Sequence, residues 1–134
     1  MEECAHMSKL LFVYGTLMQG MRNHSYMEKG TFIGPAQTKP EYDLMSNGSI
    51  PLAREGGADS VKGELYEVDD ALLSELDEVE GVAADLYERK EVEVDGKQAI
   101  IYLGGERMFA SDTWQKVPDG DFRKFLEGQK EAAQ

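Results

Sequence analysis

Cysteine is almost absent from this chain, whose 134 residues include one, Cys4. A single thiol cannot form an internal disulfide, so a reducing, cytoplasmic location is expected. Cys4 lies in a terminus that we expect to fray, which makes it a poor candidate nucleophile. Histidine is nearly as scarce, with His6 and His24. A metal site built from several histidines is therefore excluded, and His24 is expected to be a packed or surface imidazole rather than a catalytic one.

Basic residues are also few: 14 Lys and Arg face 26 Asp and Glu, giving a net charge of −12. Nucleic acids and anionic membrane surfaces both need a basic patch, so neither is an expected partner. No apolar run approaches the length of a membrane-spanning helix. The acidic start lacks a basic region and is not expected to act as a signal peptide. Residues 1–7 resemble a cloning junction and are expected to be disordered or derived from cloning.

The remaining residues, 8–134, are predicted to form one globular domain, because apolar residues make up 41% and charged residues 30% of the chain. Asp95-Gly96 predicts a two-residue hairpin, and Asn47-Gly48 another within an irregular stretch at 30–54. Periodicity and turn signals predict the main elements: strands at 10–13, 61–68, 86–94 and 98–103, helices at 71–80 and 121–130, and a short helix near 21–27. Many short strands beside few helices indicate an α+β domain with a mixed or antiparallel sheet that can curl into a barrel.

The apolar run 10–13 ends at Tyr14, Gly15 and Thr16, a pattern typical of a buried strand that opens into a turn. Gly15 has no Cβ and tolerates positive φ, so the backbone can approach a ligand closely there. Successive N–H groups in such a turn suit a carboxylate or a developing oxyanion. An ordinary turn at the end of a core strand accounts for the same residues, and the pattern leaves both interpretations open.

Glu80 stands out among the acidic residues of the predicted helix 71–80. It follows Leu76 by four residues, which places it at the edge of the apolar stripe. The helix dipole disfavours a negative charge at the C-terminus, so this carboxyl is a candidate for a raised pKa and for acid–base catalysis. A purely structural carboxylate at a helix end is the competing interpretation. Glu75 and Glu78 are expected to be solvated.

Two blocks of short motifs occur in a fixed order over residues 9–103. The first is Phe-Val-Tyr-Gly-Thr-Leu at 12–17, followed by Gly20 and Asn23-His24. The second contains Gly-Glu-Leu-Tyr-Glu-Val at 63–68, Leu-Asp-Glu-Val-Glu-Gly at 76–81 and Tyr-Glu-Arg at 87–89, and a strand ending in Ile101-Tyr102 completes it. In order and spacing these motifs resemble the gamma-glutamylcyclotransferase-like family, which includes gamma-glutamylamine cyclotransferases and AIG2-like proteins.

The resemblance implies an α+β fold with a small mixed β-barrel and flanking helices. It also implies a set of site residues: Glu80 as the catalytic acid–base, and Tyr14, Gly15, Thr16, Leu17 and Tyr102 as substrate-binding residues. The segment Ser-Ile-Pro-Leu-Ala at 49–53 departs from the family pattern, because many members carry a longer substrate loop there. This departure leaves the leaving group of the substrate open.

The implied reaction closes a five-membered lactam. The α-amine of a gamma-glutamyl group attacks its own γ-carbonyl, releasing 5-oxoproline and an amine, with the proximity advantage of an intramolecular reaction. One glutamate can accept the ammonium proton and pass it to the leaving amine. No metal and no organic cofactor is expected. The expected partner is a small gamma-glutamyl substrate, and the protein is expected to be a monomer or a weak homodimer.

Two other interpretations stay open at this stage. A non-catalytic small-molecule-binding or regulatory protein can share the same fold, because one fold hosts many functions. Such a protein could replace Glu80, which this chain keeps. An acidic protein-interaction domain would account for the net charge, but it would leave the turn at 14–17 without a role.

Overall fold

The computed structural model describes residues 9–15, 17–21, 24–47, 51–80, 87–104 and 114–132, with the backbone alone for residues 80 and 129–132. Predictions for residues 1–7, including Cys4, lie outside these ranges. Eight strands and two α-helices follow one another along the described chain: β1 Lys9–Val13, β2 Thr31–Gln37, β3 Tyr42–Ser46, β4 Pro51–Glu55, β5 Lys62–Val68, α1 Asp70–Glu80, β6 Tyr87–Val94, β7 Lys97–Gly104, β8 Gln115–Lys116 and α2 Phe122–Ala132. Short 3-10 turns span His24–Met27 and Pro118–Gly120.

The strands form one mixed sheet in the order β2-β5-β1-β7-β4-β3-β8, with β6 also paired to β7. The β1–β7 and β4–β7 pairs are parallel, and the other pairs are antiparallel. An isolated bridge between Thr38, just after β2, and Val94, at the end of β6, joins two ends of this arrangement. The sheet is therefore curled into a half-barrel with two helices, which confirms the predicted α+β barrel-like fold.

Strand β7 is where the sheet divides. β6 pairs with β7 over its whole length, from Tyr87↔Gly104 to Val94↔Lys97. Since a strand has two edges, the other edge of β7 must serve both β1 and β4. β1 occupies it at Ile100 and Ile101, and β4 occupies it at Leu103. Tyr102 lies at the point where one neighbour gives way to the other.

Alternating side chains of the sheet build two cores, one on each face. The barrel core includes Phe12, Leu65, Ile101 and Phe122, so α2 packs on this side. The helix-side core combines strand residues such as Tyr66 with the buried face of α1. The apolar run at 10–13 had predicted a buried strand, and residues of β1 contribute to both cores, because a strand buried on both faces has no polar side.

Local signals account for the start of α1 and for one hairpin. Asp69 caps α1: its Oδ1 accepts a hydrogen bond from the Leu72 N–H at 2.8 Å. Asp95 and Gly96 have φ of 49° and 80°, as a two-residue hairpin turn of type I′ requires. The predicted hairpin near Asn47 also forms, since Ser46 pairs with Pro51, but four residues rather than two separate its strands. Gly48 lies outside the described residues.

None of the helices in the described ranges combines the length and the hydrophobicity needed to cross a membrane.

Candidate active site

A small cleft lies where β1 ends beside β7 and the start of β4. About 350 Å³ of space not filled by protein atoms lies within it, a volume that includes open solvent. Eight described residues line it: Phe12, Val13, Tyr14, Gly15, Leu17, Pro51, Tyr87 and Tyr102. Four of the six residues predicted to form the site are in this set, although the chain separates Tyr102 from the others by more than eighty positions. The cleft therefore combines the predicted turn with the predicted tyrosine.

The turn after β1 is closed by a hydrogen bond from the Met18 N–H to the Gly15 carbonyl at 3.1 Å. A Cβ built on Gly15 would lie 2.5 Å from Cγ of Pro51. Glycine is thus required because the first residue of β4 packs directly against this backbone. Gly15 is absent from the positive-φ residues of the described chain, so its tolerance of positive φ is not used here. Thr16, the third residue of the predicted site, lies outside the described residues.

The hydroxyl of Tyr14 joins the two strands that share the edge of β7. It donates a hydrogen bond to the Tyr102 carbonyl at 2.5 Å and accepts one from the Ala53 N–H at 3.0 Å. The hydroxyl thus bridges β7 and β4 where the regular ladder passes from β1 to β4. Tyr14 borders the cleft, and its hydroxyl is bound by main-chain groups of the protein.

Tyr102 connects the cleft to α1. Its hydroxyl donates to Oδ1 of Asp77 at 2.6 Å, and Oδ2 of Asp77 lies 3.2 Å from Nη1 of Arg89. Arg89 sits directly opposite Tyr102 in the β6–β7 ladder, so the two side chains share one face of the sheet. This chain of contacts fixes the last turns of α1 against β7.

Glu80 is the last residue of α1, one helical turn beyond Asp77. Its side chain lies outside the described part of the structure, and the predicted distance of its carboxylate from the backbone of residues 15–17 stays a prediction. The helix that carries it is well anchored, because Leu72, Leu73 and Leu76 are at most 2% exposed.

The loop after the turn is held by side chains from distant parts of the chain. With its proton on Nδ1, His24 donates to the Leu17 carbonyl at 3.0 Å, and its ring packs near Tyr66 at a centroid distance of 6.1 Å. His24 thus has the packing role that the sequence suggested. The Gln19 N–H donates to Oε1 of Glu64 at 2.9 Å, and Nη2 of Arg123 donates to the Gln19 carbonyl at 2.5 Å.

Glu64 is a buried carboxylate with several donors. Besides the Gln19 N–H, it accepts a hydrogen bond from the Tyr66 hydroxyl at 3.2 Å, and Nη2 of Arg123 lies 3.1 Å from its Oε2. Burial raises the pKa of Tyr66 well above its usual range; the charge of Glu64 and this hydrogen bond raise it further, and Arg123 opposes the shift. Tyr66 therefore stays a neutral hydrogen-bond donor.

Several contributors to this region escaped the sequence analysis. Pro51 and Tyr87 line the cleft, and the Tyr87 hydroxyl donates to the Pro51 carbonyl at 3.0 Å. Asp77, Arg89, Glu64 and Arg123 were seen only as parts of motifs or as surface charge. The usable signal was the position of Glu64 among the apolar residues of a strand, because a carboxylate on a buried face needs partners. No group of three or more potential metal ligands occurs among the residues that the structure describes.

Comparison with known proteins identifies the family. The family described as gamma-glutamyl cyclotransferase, AIG2-like, matches residues 11–124. A Vibrio cholerae protein provisionally named a gamma-glutamylcyclotransferase is 42% identical over 97 residues, covering 72% of this chain and 83% of that protein. The gamma-L-glutamyl-butirosin B gamma-glutamyl cyclotransferase of Niallia circulans is 31% identical over 121 residues, covering 86% of this chain and 76% of that enzyme.

The fold agrees with this assignment. The crystal structure of an AIG2-like protein from Mus musculus superposes with a TM-score of 0.67 and 27% identity, covering 82% of this chain and 87% of that one. Together with the family match over residues 11–124, this shows that the chain belongs to the AIG2-like gamma-glutamyl cyclotransferase family and is an enzyme of that class.

Proposed function

We propose that the protein converts a gamma-glutamyl compound into 5-oxoproline and a free amine or amino acid, with Glu80 as the acid–base group. The observation that carries the proposal is the cleft itself. It brings Gly15 and Leu17 of the turn together with Tyr102, whose hydroxyl binds the helix that ends in Glu80. A turn with main-chain donors and a carboxylate on the neighbouring helix are the parts that lactam formation needs.

The reaction balances within one substrate molecule. The neutral α-amine attacks the γ-carbonyl carbon, a C–N bond forms, and the carbonyl oxygen takes up negative charge. When the carbonyl re-forms, the bond to the leaving nitrogen breaks. Glu80 takes one proton of the α-ammonium group and delivers it to the leaving nitrogen, so its pKa works best near the working pH. The attacking nitrogen gives up a second proton as the lactam forms, and the released amine takes up that proton and departs as an ammonium ion. Every atom of the substrate is then found in 5-oxoproline or in the amine.

Main-chain donors of the turn at residues 15–17 would stabilise negative charge on the substrate. The turn's own hydrogen bond uses the Gly15 carbonyl and the Met18 N–H, which leaves the Leu17 N–H outside that bond. A donor of this kind suits either the α-carboxylate or the oxyanion that forms at the γ-carbonyl. The low polarity of Phe12 and Pro51 nearby would strengthen such a contact.

The leaving group is the part of the substrate on which the relatives differ. The name of the Niallia circulans relative describes a gamma-glutamyl group attached to butirosin B, whereas the Bos taurus relative is named a gamma-glutamylaminecyclotransferase. The cleft is partly open to solvent and is bordered by Pro51 and Tyr87 at the start of β4 and β6. We propose that the glutamyl unit occupies the cleft and that the amine extends toward solvent.

The test is a panel of gamma-glutamyl compounds scored for 5-oxoproline: a gamma-glutamyl amino acid, gamma-glutamyl-ε-lysine, glutathione and gamma-L-glutamyl-butirosin B. Glu80→Gln should lower turnover of any accepted compound by the ~10²–10⁴-fold typical of lost acid–base catalysis. Glu78→Gln is the matched control, because Glu78 lies on the exposed face of the same helix turn. Wild-type turnover by Glu80→Gln would remove Glu80 from the mechanism, and no 5-oxoproline from any compound would refute the reaction.

A further inference from the structure

We propose that Glu64 and Arg123 are positioning residues for this reaction: they hold the pocket loop, defined as residues 17–21, in the conformation that the cleft requires. The proposal rests on the proposed function and adds to it a part of the chain, the C-terminal helix α2, that contributes no residue to the described lining of the cleft. Neither residue touches the reacting atoms in this account.

Glu64 binds the pocket loop from the sheet. It lies on β5 directly opposite Val13, the last residue of β1, and only 6% of its side chain is exposed. Its Oε1 accepts hydrogen bonds from the Gln19 N–H and from the Tyr66 hydroxyl. Burying a carboxylate lowers the stability of the fold unless several donors bind it, and the donors around Glu64 meet this requirement.

Arg123 binds the carbonyl group of the residue whose N–H is bound by Glu64. It lies in the first turn of α2, and its Nη2 donates both to the Gln19 carbonyl and to Oε2 of Glu64. Both main-chain polar groups of Gln19 are therefore held by side chains, one 45 and the other 104 positions away. The result is a closed set of contacts among Gln19, Glu64 and Arg123, which we call the loop latch.

The loop latch is close enough to the cleft to affect substrate geometry. Gln19 is two residues from Leu17, which lines the cleft, and one residue from Met18, whose N–H closes the turn at Gly15. A shift of the Gln19 peptide would therefore move the Leu17 N–H and the turn. Misplacement of a substrate-positioning group by about 1 Å can lower a rate by about 10²-fold, even when the altered residue is remote from the chemistry.

A purely structural ion pair is the alternative, and the variants are chosen to separate the two. Arg123→Lys keeps the charge and a donor. Glu64→Met with Arg123→Met removes the whole loop latch without leaving a buried charge, an exchange that often preserves stability. Lys124→Met is the matched control: it removes one cation from the same helix, where Lys124 pairs with Asp119 at 3.6 Å on an exposed surface.

Each variant is measured in two ways: amide hydrogen exchange of the segment 15–21, and kcat and KM for the best substrate of the panel. The positioning role predicts faster exchange of this loop and a fall in kcat/KM on the order of 10- to 100-fold in the double variant, both measured at a temperature at which the variant is folded. Arg123→Lys should recover part of both. Lys124→Met should match wild type in both.

Unchanged loop exchange in the double variant would overturn the loop latch. Faster exchange with wild-type kcat/KM would overturn its role in substrate positioning. Failure of the proposed function looks different: wild type itself would release no 5-oxoproline, and the latch would then be judged by the exchange measurement alone.

Discussion

The Tyr14 hydroxyl lies 2.5 Å from the Tyr102 carbonyl and connects the end of β1 to the middle of β7. The same hydroxyl accepts the Ala53 N–H of β4. One phenol therefore satisfies a main-chain acceptor on one strand and a main-chain donor on another, at the point where β7 exchanges its neighbours. This oxygen therefore adds a link between β4 and β7 beside the cleft, next to their ladder pairing at Ala53 and Leu103.

Removing the Tyr14 hydroxyl should lower the free energy of unfolding. Tyr14→Phe keeps the ring, which is 5% exposed, but leaves the Tyr102 carbonyl and the Ala53 N–H without this partner. A buried main-chain group that loses its hydrogen bond costs about 1–3 kcal/mol, so the free energy of unfolding should fall by at least that amount. Urea unfolding measures it. Tyr26→Phe, at a side chain 41% exposed, should change the free energy little, and an equal loss in both variants would contradict the bridging role.

The contact between Gly15 and Pro51 predicts a steric effect that a second substitution should relieve. Gly15→Ala places a methyl group about 2.5 Å from Pro51 Cγ, which forces one wall of the cleft to move. Substrate affinity should fall. Adding Pro51→Ala removes the clashing ring atoms and should restore part of the affinity, measured as KM or as binding of 5-oxoproline.

Gly128→Ala is the control for that pair. Gly128 lies in α2, and a Cβ there meets nothing within 4 Å. Alanine is favoured over glycine inside a helix by roughly 0.5–1 kcal/mol, so this variant should be more stable and equally active. If Gly15→Ala alone binds as tightly as wild type, close packing against Pro51 is not the reason for glycine at this position.

Elements with local signals were predictable from the sequence. The helix predicted at 71–80, and observed at Asp70–Glu80, was visible through its leucine spacing, and the Asp95-Gly96 hairpin through its two residues alone. The family resemblance added the grouping of Tyr102 with the turn at Gly15, and the cleft brings these residues together. Two kinds of contact can therefore be inferred from a sequence: contacts between residues that are close along the chain, and contacts that a family resemblance implies.

The sequence did not predict which strands and side chains become neighbours, because this depends on the register of strand pairing and on where each strand ends. The division of β7 between β1 and β4 follows from which residues pair, and an alternating pattern does not specify its partner. For the same reason Pro51 was not expected beside Gly15, nor Arg123 beside Glu64. Of the two properties named for Gly15, the structure uses the lack of a Cβ and does not use the tolerance of positive φ.

Tyr66 predicts a loss of stability at alkaline pH. Burial, and then the charge and hydrogen bond of Glu64, raise its pKa above the ordinary value near 10, so the folded protein holds the phenol proton more tightly than the unfolded chain does. The stabilisation is complete below about pH 10 and is lost as pH rises from there toward the higher pKa of the folded state. Urea unfolding between pH 8 and 11 should show this decline.

Tyr66→Phe should flatten that pH dependence. Loss of one titrating group reduces the slope above about pH 10 by up to about 1.4 kcal/mol per pH unit. At neutral pH the variant also loses a hydrogen bond to the Glu64 carboxylate, worth about 1.5–3 kcal/mol. A slope identical to that of wild type would mean that Tyr66 does not control alkaline unfolding.

The contacts of Asp77 predict how strongly each of three variants lowers kcat. Tyr102→Phe removes the 2.6 Å bond to Asp77 and with it the tie between β7 and the last turns of α1. Asp77→Asn keeps an oxygen that can accept from Tyr102 but loses the charge that faces Arg89. Arg89→Gln keeps the Tyr102 bond and breaks an ion pair whose arginine side chain is 41% exposed, which should cost at most about 1 kcal/mol.

Because Glu80 follows Asp77 by one helical turn, loss of that tie should disturb the carboxylate more than the binding of the glutamyl unit. We therefore expect Tyr102→Phe to lower kcat on the order of ten- to a hundredfold with a smaller change in KM, Asp77→Asn to be intermediate, and Arg89→Gln to resemble wild type. Steady-state kinetics with one accepted substrate measures the order. If Arg89→Gln is as damaging as Tyr102→Phe, the ion pair rather than the tyrosine hydroxyl fixes the end of α1.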